Sequence, residues 1–560
     1  MAAALKEQLE RIAAGLGNGA PPAVQLDRPR NPAHGDLATN LAMVLAGRLG
    51  RPPREIAEAI IAGLDLPAAG LASADIAGPG FINFRFASEN VLDGLHAIVQ
   101  ADRGFGRSDV GADKRVQVEF VSANPTGPLH VAHGRGAALG DAIAALLEWT
   151  GHRVSREFYV NDSGVQIDKL AESLHARWRE LHGKPAEIPE GGYHGEYLRE
   201  MARSLEQEHG DRLRGMAPVE RLAFLREWAT TVLREDQDRV LRSFGVRFDE
   251  YYPESRLYRE NRLEETLTFL RERGLIYDHD GAVWLRTSQF GDDKDRVLVK
   301  GDGSFTYFLP DLAYHREKAK RGFQHVVNVW GADHHGYVPR MQAGLDAIGL
   351  RDFLDVEIVQ MVRIMRGGQE AKLSKRAGQY VTLEELAQEV GPDVARYFFL
   401  MRRGDSQMLF DLDLALDHSE KNPVYKVQYA HARLMSIFRK AGVVPEQMDA
   451  AAANLELLQQ AAELALIKQL TQFPDIVRRA ALARAPHIVC EYLETTAGQV
   501  NSWYHAGNPS RQPELAVLVP DAPLRAARLV LARAAQIVLR NGLHLLGLSA
   551  PDRMDREESE

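Results

Sequence analysis

The chain has 560 residues, 45% of them hydrophobic and 26% charged, with a formal net charge of −9. At roughly 150 residues per domain this predicts three or four domains of ordinary globular composition, and the charge alone argues against a strongly basic nucleic-acid binder. No stretch of about 20 uninterrupted apolar residues suggests a membrane span, and the only cysteine, Cys490, excludes an internal disulfide framework and a Cys-rich zinc site.

In chain order, residues 1–16 read as an amphipathic helix without the basic start and long apolar core of a signal peptide. Residues 54–64 repeat the helical spacing, and Gly78–Phe86 alternates as a strand after a turn signal. The Gly-, Asp- and Arg-rich stretch Arg103–Lys114 reads as a linker. A strand follows at Arg115–Val121, then the loop Asn124–Pro128, a helix from about His130 to Glu148, and a second strand at Arg153–Val160. Strand, helix, strand is the unit of a parallel α/β sheet. Residues 165–275 read as a charged helical insertion, and strand-like runs return at 325–330 and 356–362. From about 421 the pattern is helical, at 424–440, 452–470, 473–484, 487–504 and 522–546. Lys421–Ala550 carries 14 Lys/Arg against 9 Asp/Glu, enough to meet a phosphate backbone and equally an ordinary solvated surface.

Two constellations stand out. In Ser122-Ala123-Asn124-Pro125-Thr126-Gly127-Pro128-Leu129-His130-Val131-Ala132-His133-Gly134, two histidines share one face where a helix begins. A helix start favours negative charge, and imidazoles there can donate to phosphate oxygens; the same spacing also suits plain capping. The second is Gln369-Glu370-Ala371-Lys372-Leu373-Ser374-Lys375-Arg376-Ala377-Gly378, two lysines about a serine in a loop between strand and helix. Lysines so placed suit a clamp on a polyphosphate, or a solvated basic turn.

Together the two resemble the HIGH and KMSKS signatures of class I aminoacyl-tRNA synthetases, in the right order and roughly 240 residues apart. Ala132 stands where the first signature usually has glycine, and the second reads KLSKR. The string Val118–Gly134 is similar to the arginyl branch, as are Tyr159–Ile167, Trp330–Tyr337, His34–Asn40 and Val427–Arg433. The resemblance covers essentially the whole chain. It implies an N-terminal α+β added domain at 1–110 that contacts tRNA. It implies a Rossmann-like parallel-sheet catalytic domain at 111–420, with the 165–275 insertion, and an all-α anticodon-binding bundle at 421–560.

The resemblance also implies the site. His130, His133, Lys372 and Lys375 would be catalytic, and Gly127, Gly134, Gly331, Asp333 and Ser374 would join them in binding ATP. Glu119 and Asp311 would flank the arginine guanidinium, with Tyr307 beside it and Ser122 and Asn124 at the amino or carboxyl end. A guanidinium is best held by carboxylates, which agrees independently. Glu119 on its apolar strand also fits a structural salt bridge, and Asp311 after Pro310 also fits a helix cap. Asp333-His334-His335 makes a poor chelate, because adjacent histidines diverge, so no protein-bound metal is expected.

The implied partners are ATP with Mg²⁺, L-arginine and tRNA(Arg); the implied state is a cytoplasmic monomer that activates arginine only with tRNA bound. Three readings compete. A small adenylyltransferase with an HxGH loop is disfavoured by the length and the helical C-terminal region. A catalytically idle RNA-binding relative would be expected to lack the histidines and lysines, and all four are present. A cysteinyl synthetase typically needs a zinc site that one cysteine cannot build.

Overall fold

The structure, a computed structural model, describes residues 2–17, 22–27, 29, 31, 34–185, 187–371, 381–507 and 512–554. The KLSKR segment, with Lys372, Ser374 and Lys375, therefore lies outside the described residues. The chain forms two compact units of interleaved segments: 1–105, 434–472 and 499–538 in one, and 106–433, 473–498 and 539–560 in the other.

The larger unit is built on five strands: β1 (Arg115–Glu119), β2 (Arg153–Val160), β3 (Glu250–Pro253), β4 (His325–Gly331) and β5 (Leu354–Val359). They lie in the order β5-β4-β1-β2-β3, all parallel. Helix α1 (Val131–Trp149) joins β1 to β2, and helix α2 (Phe308–Lys320) precedes β4. Because the chain leaves β1 toward β2 and later returns on its other side as β4, the order reverses between β1 and β4. Ligands of open parallel sheets sit outside the carboxyl ends of the strands at such a reversal. Val116, Val118 and Phe120 are buried on alternate positions of the β1 segment, and α1 buries Ala137, Ala138, Ala142 and Ile143.

The expected 165–275 insertion is helical on both sides of a strand, with Ser255–Arg259 and Arg262–Glu272 as its later helices. Helices Val165–Leu181, Glu196–Gly215 and Pro218–Ser243 bury Leu170, Leu174, Trp178, Leu205 and Leu225 among themselves. The chain then rejoins the main sheet as β3, which pairs Glu157–Val160 of β2. A three-stranded antiparallel sheet at Ile276–His279, Ala282–Leu285 and Arg296–Val299, absent from the sequence reading, leads into α2. The single strand expected at 356–362 is two, β5 and Val362–Arg366, because the chain breaks at Gln360 and changes sheets.

In the smaller unit, Leu37–Thr39, Phe81–Phe86 and Leu71–Ala77 form an antiparallel sheet in that order. Its buried face, with Ile82 and Phe84, packs with Leu5, Leu9, Leu41, Leu45, Ile56 and Ile60 from the adjoining helices. The helix expected over 452–470 is two 3₁₀ turns followed by a helix at Ala461–Leu470. Among the described residues no helix is long and apolar enough to cross a membrane.

Candidate functional site

The first signature begins where β1 runs out. Val121 (φ 68°) and Ser122 (φ 40°) both take the left-handed region, which is strained for any L-residue and most of all for a β-branched one. The bend turns the Ser122 hydroxyl back on the strand it leaves. Its Oγ donates to Glu119 Oε1 at 3.1 Å and accepts the Tyr159 backbone N–H at 3.1 Å. Asn124, on the next stretch, donates through Nδ2 to Gln166 Oε1 at 2.6 Å.

Helix α1 starts with His130 as its N-cap. The His133 N–H donates to His130 Nδ1 at 3.4 Å, the His130 N–H donates to His133 Nδ1 at 3.3 Å, and the rings stack with centroids 3.6 Å apart. The histidines are therefore caps as well, a reciprocal capping box. Each Nδ1 accepts, so each neutral ring carries its proton on Nε2. Burial lowers both from the usual imidazole value, His133 to about 3 with help from the neighbouring His130. Two neutral Nε2–H donors thus stand at a helix N-terminus. Gly134 is buried, and a side chain there would run into Leu383 (2.5 Å).

Opposite the α1 start, the chain after the KLSKR segment re-enters beside the histidines. Val131 N–H donates to Val381 O at 3.1 Å, Leu383 N–H to Leu129 O at 2.8 Å, and His130 bridges Thr382. The downstream flank of the second signature is thus tied across the first.

Glu119 has a partner. Lys318 of α2, fully buried, donates to Glu119 Oε2 at 2.6 Å and to Asn328 Oδ1 at 3.2 Å. The salt-bridge alternative for Glu119 holds. Asp311 does not cap its helix, whose N-cap is Tyr307. Its carboxylate instead accepts from the Tyr337 hydroxyl at 2.6 Å. Burial pushes Asp311 up to about 7, against that hydrogen bond and with the nearby charges of Glu119 and Glu254. Glu254, at the carboxyl end of β3, is also raised by burial. It accepts from Tyr159 OH at 3.0 Å and Ser163 Oγ at 3.1 Å. Neither Asp311 nor Glu254 has an ion-pair partner among the described residues. Tyr307 is 85% exposed at the head of α2.

Gly331 and the exposed Asp333 close β4 on the far side of the reversal; a side chain on Gly331 would collide with Asp333 Oδ1 (2.6 Å). Glu119, Ser122, Asn124, Gly127, His130, His133, Gly134, Asp311, Gly331 and Asp333 thus share this unit, on or directly after β1, on α1 and α2, and at the end of β4. The sequence reading missed Glu254 and Lys318. A polar stripe at helical spacing, Asp311, Tyr314, His315 and Lys318, was the available sign for the second.

The sequence matches a model of the arginyl-tRNA synthetase N-terminal domain over residues 1–86 and one of the class I (R) catalytic domain over 95–398. A model of the DALR anticodon binding domain matches residues 427–554. The arginine–tRNA ligase of Geobacillus kaustophilus is 47% identical over 98% of each chain. The chain belongs to the arginyl-tRNA synthetase family. Within this family, the arginine–tRNA ligase of Bacillus subtilis is 44% identical over 98% of each chain. The solved arginyl-tRNA synthetase of Thermus thermophilus superposes with a TM-score of 0.76 at 25% identity, covering 99% of this chain and all of its own. The class I arginyl catalytic match encloses every residue of the constellation above, Glu254 and Lys318 included.

Proposed function

We infer that the pocket between β1, β3 and α2 holds the guanidinium of arginine, and that the start of α1 holds the phosphates of ATP. The protein is an arginine–tRNA ligase. It activates L-arginine with ATP to arginyl-adenylate, releasing pyrophosphate, and transfers arginine to the 3′-terminal ribose of tRNA(Arg).

One observation carries the assignment of the amino acid. Three acidic side chains converge, and among the described residues only Glu119 has a cation, Lys318. Asp311, half-buried, and Glu254, buried, keep raised protonation, a state that a desolvated carboxylate abandons once a cation arrives. A planar guanidinium with five donors fits two such acceptors. We therefore add Glu254 to Asp311 as its direct partners, with Glu119 alongside in its Lys318-held position. Ser122 and Asn124 take the substrate's amino or carboxyl end, and Tyr307 packs against it from the exposed side.

In the first step the arginine carboxylate attacks the α-phosphorus in line, and pyrophosphate departs. His130 and His133, neutral and protonated on Nε2, donate to phosphate oxygens as charge builds; being neutral, they orient and polarise rather than neutralise. Lys372 and Lys375, with Ser374, supply the positive charge. Five residues separate Lys375 from Val381, whose carbonyl accepts from Val131, so Lys375 lies within about 20 Å of that pairing. Gly127 and Gly134 border the phosphates, and Gly331 and Asp333 take the ribose side. Mg²⁺ entering with the nucleotide would supply further positive charge to the phosphates while drawing few ligands from the protein. The 2′-hydroxyl of the terminal tRNA ribose then attacks the adenylate. On the same resemblance we read the enzyme as a cytoplasmic monomer that activates arginine only with tRNA bound. The domain assignments, tRNA contacts at 1–110 and anticodon reading at 421–560, follow with it.

The test is exchange of labelled pyrophosphate into ATP with each standard amino acid, with and without bulk tRNA. Exchange with arginine alone among the amino acids, and only with tRNA, is expected. Exchange with another amino acid would overturn the roles of Asp311 and Glu254. His133→Ala should reduce the exchange at least tenfold, the scale of one lost transition-state donor.

A further inference from the structure

The loop Asn124–Gly127 is held from outside the sheet. Three of its carbonyls accept hydrogen bonds from two side chains of the helical insertion. Tyr197 OH donates to Thr126 O at 2.6 Å. Gln237 Nε2 donates to Asn124 O at 3.1 Å and to Gly127 O at 3.0 Å. Gln237 is 2% exposed. Its amide can sit only one way round, since an oxygen in that position would oppose two carbonyls. Both Nε2 hydrogens are then used, and Oε1 is buried without a protein partner among the described residues.

These contacts fix more than the carbonyls. In a trans peptide the C=O and the following N–H point in opposite directions. Pro125 and Pro128 follow Asn124 and Gly127, so two of the three captured peptides have no N–H. The third, Thr126–Gly127, does. With Thr126 O turned onto Tyr197, the Gly127 N–H is directed away from the insertion. Glycine offers little resistance to a flip of that peptide, so the Tyr197 hydroxyl is what selects its orientation. Two residues beyond Gly127 the same loop ends in Leu129 and His130, where α1 starts.

We propose that Tyr197 and Gln237 are positioning residues of the activation reaction, holding the Asn124–Gly127 carbonyls outward so that the Gly127 N–H and the His130 cap face the phosphates. This rests on the reading above that phosphates lie at the start of α1. A group whose charge grows in the transition state feels a misplaced donor more there than in the ground state, so the loss appears in kcat more than in KM.

Gln237→Met keeps the volume and removes both donors, Gln237→Glu places an acceptor against two carbonyls, and Tyr197→Phe removes one hydroxyl. Hydrogen–deuterium exchange of the full-length chain without substrate, followed on peptides spanning 123–133, reads the loop directly. Exchange there should quicken in all three variants, while peptides of the main sheet stay as in the parent. In tRNA-supported, arginine-dependent pyrophosphate exchange, Gln237→Met should lose roughly tenfold in kcat with a smaller change in KM for ATP, and Gln237→Glu more. Tyr197→Phe should lose less than either. A Met variant that matches the parent in loop exchange and kcat overturns the proposal. So does one in which every peptide exchanges faster and the melting temperature collapses, since that is packing alone. If the parent itself shows no arginine-dependent exchange, the functional reading fails, while the substrate-free loop measurement still decides whether Tyr197 and Gln237 hold the loop.

Discussion

At the scale of single residues, the pocket is defined by which charges are answered. Asp311 is the sharpest case, because its protonation near neutral pH gives arginine binding a measurable signature. Its folded value is raised from 3.8 to about 7. Between those values the folded protein keeps a proton that the unfolded chain has shed. Stability therefore falls as pH rises through that window. Arginine prefers the ionised carboxylate, so its affinity rises with pH, by about tenfold from pH 6 to pH 8, and binding releases a proton. Calorimetry in two buffers of different ionisation enthalpy should detect that proton at pH 6 and lose it near pH 8. Asp311→Asn should flatten the pH dependence between pH 6 and pH 8, leaving any dependence from Glu254, and weaken arginine by about 1.5–3 kcal/mol, roughly tenfold to 150-fold. An unchanged pH profile in Asp311→Asn would assign the titration elsewhere. The sequence made Asp311 visible through the resemblance. It could not show that Glu119 is already paired, because Lys318 and Lys320 look alike in a charged helix and only the fold buries the first. Glu254 was hidden for a related reason: β3 is four residues with an acid at its head, too short and too polar to show a strand pattern.

At the scale of elements, α1 must lie close to β1 for its first turn to meet the strand end. Two glycines of the same helix separate that requirement from helix propensity. A Cβ on Gly140 would sit inside the Phe120 ring, whereas one on Gly136 would meet nothing within 4 Å. Gly140→Ala should therefore overpack the junction, costing about 1–3 kcal/mol in urea unfolding. By displacing the helix from the strand it should also lower kcat. Gly136→Ala should stabilise by about 0.4–1 kcal/mol, through the unfolded chain, and leave kcat alone. Equal effects at both positions would mean that helix propensity decides. Here the sequence was informative about what forms and silent about how close it packs. The α1 boundaries follow from the cap and the apolar run, and β1, β2 and β4 from their alternation or apolar runs. The antiparallel sheet at 276–299 escaped because its strands are four residues each, mostly half-buried, with no long apolar run. Nor does a sequence carry the strain at Val121 and Ser122, which only the completed turn imposes.

At the scale of the molecule, the helical C-terminal region begins at about 421 by sequence, yet its segments do not all belong to one body. Residues 473–498 and 539–560 are part of the same compact unit as the parallel sheet. The chemistry of their contacts explains why. Phe473 meets Trp149 at the end of α1 with ring centroids 6.3 Å apart, edge to face. Arg484 answers two sheet acids, Asp355 at 2.8 Å and Glu357 at 2.6 Å. The buried Tyr397 hydroxyl reaches Glu494 at 3.0 Å, and the fully buried Arg396 gives its Nε–H to Leu546 O at 2.6 Å. Cutting the chain at residue 420 would strip Arg396 and Tyr397 of these acceptors and leave Asp355 and Glu357 without Arg484. The buried Arg396 and Tyr397 each lose a partner worth about 1–3 kcal/mol, a large share of an ordinary domain's stability of about 5–15 kcal/mol. A fragment ending at 420 should therefore fail to fold cooperatively, despite containing every residue assigned to the activation chemistry. The measurement is a thermal melt and near-ultraviolet circular dichroism of that fragment beside the full chain. A cooperative melt close to the parent's would show that the sheet body is self-sufficient and that the C-terminal segments merely rest on it. Loss of the transition, with recovery when residues 421–554 are added as a separate chain, would show that the catalytic body is completed by segments that the sequence places in another domain.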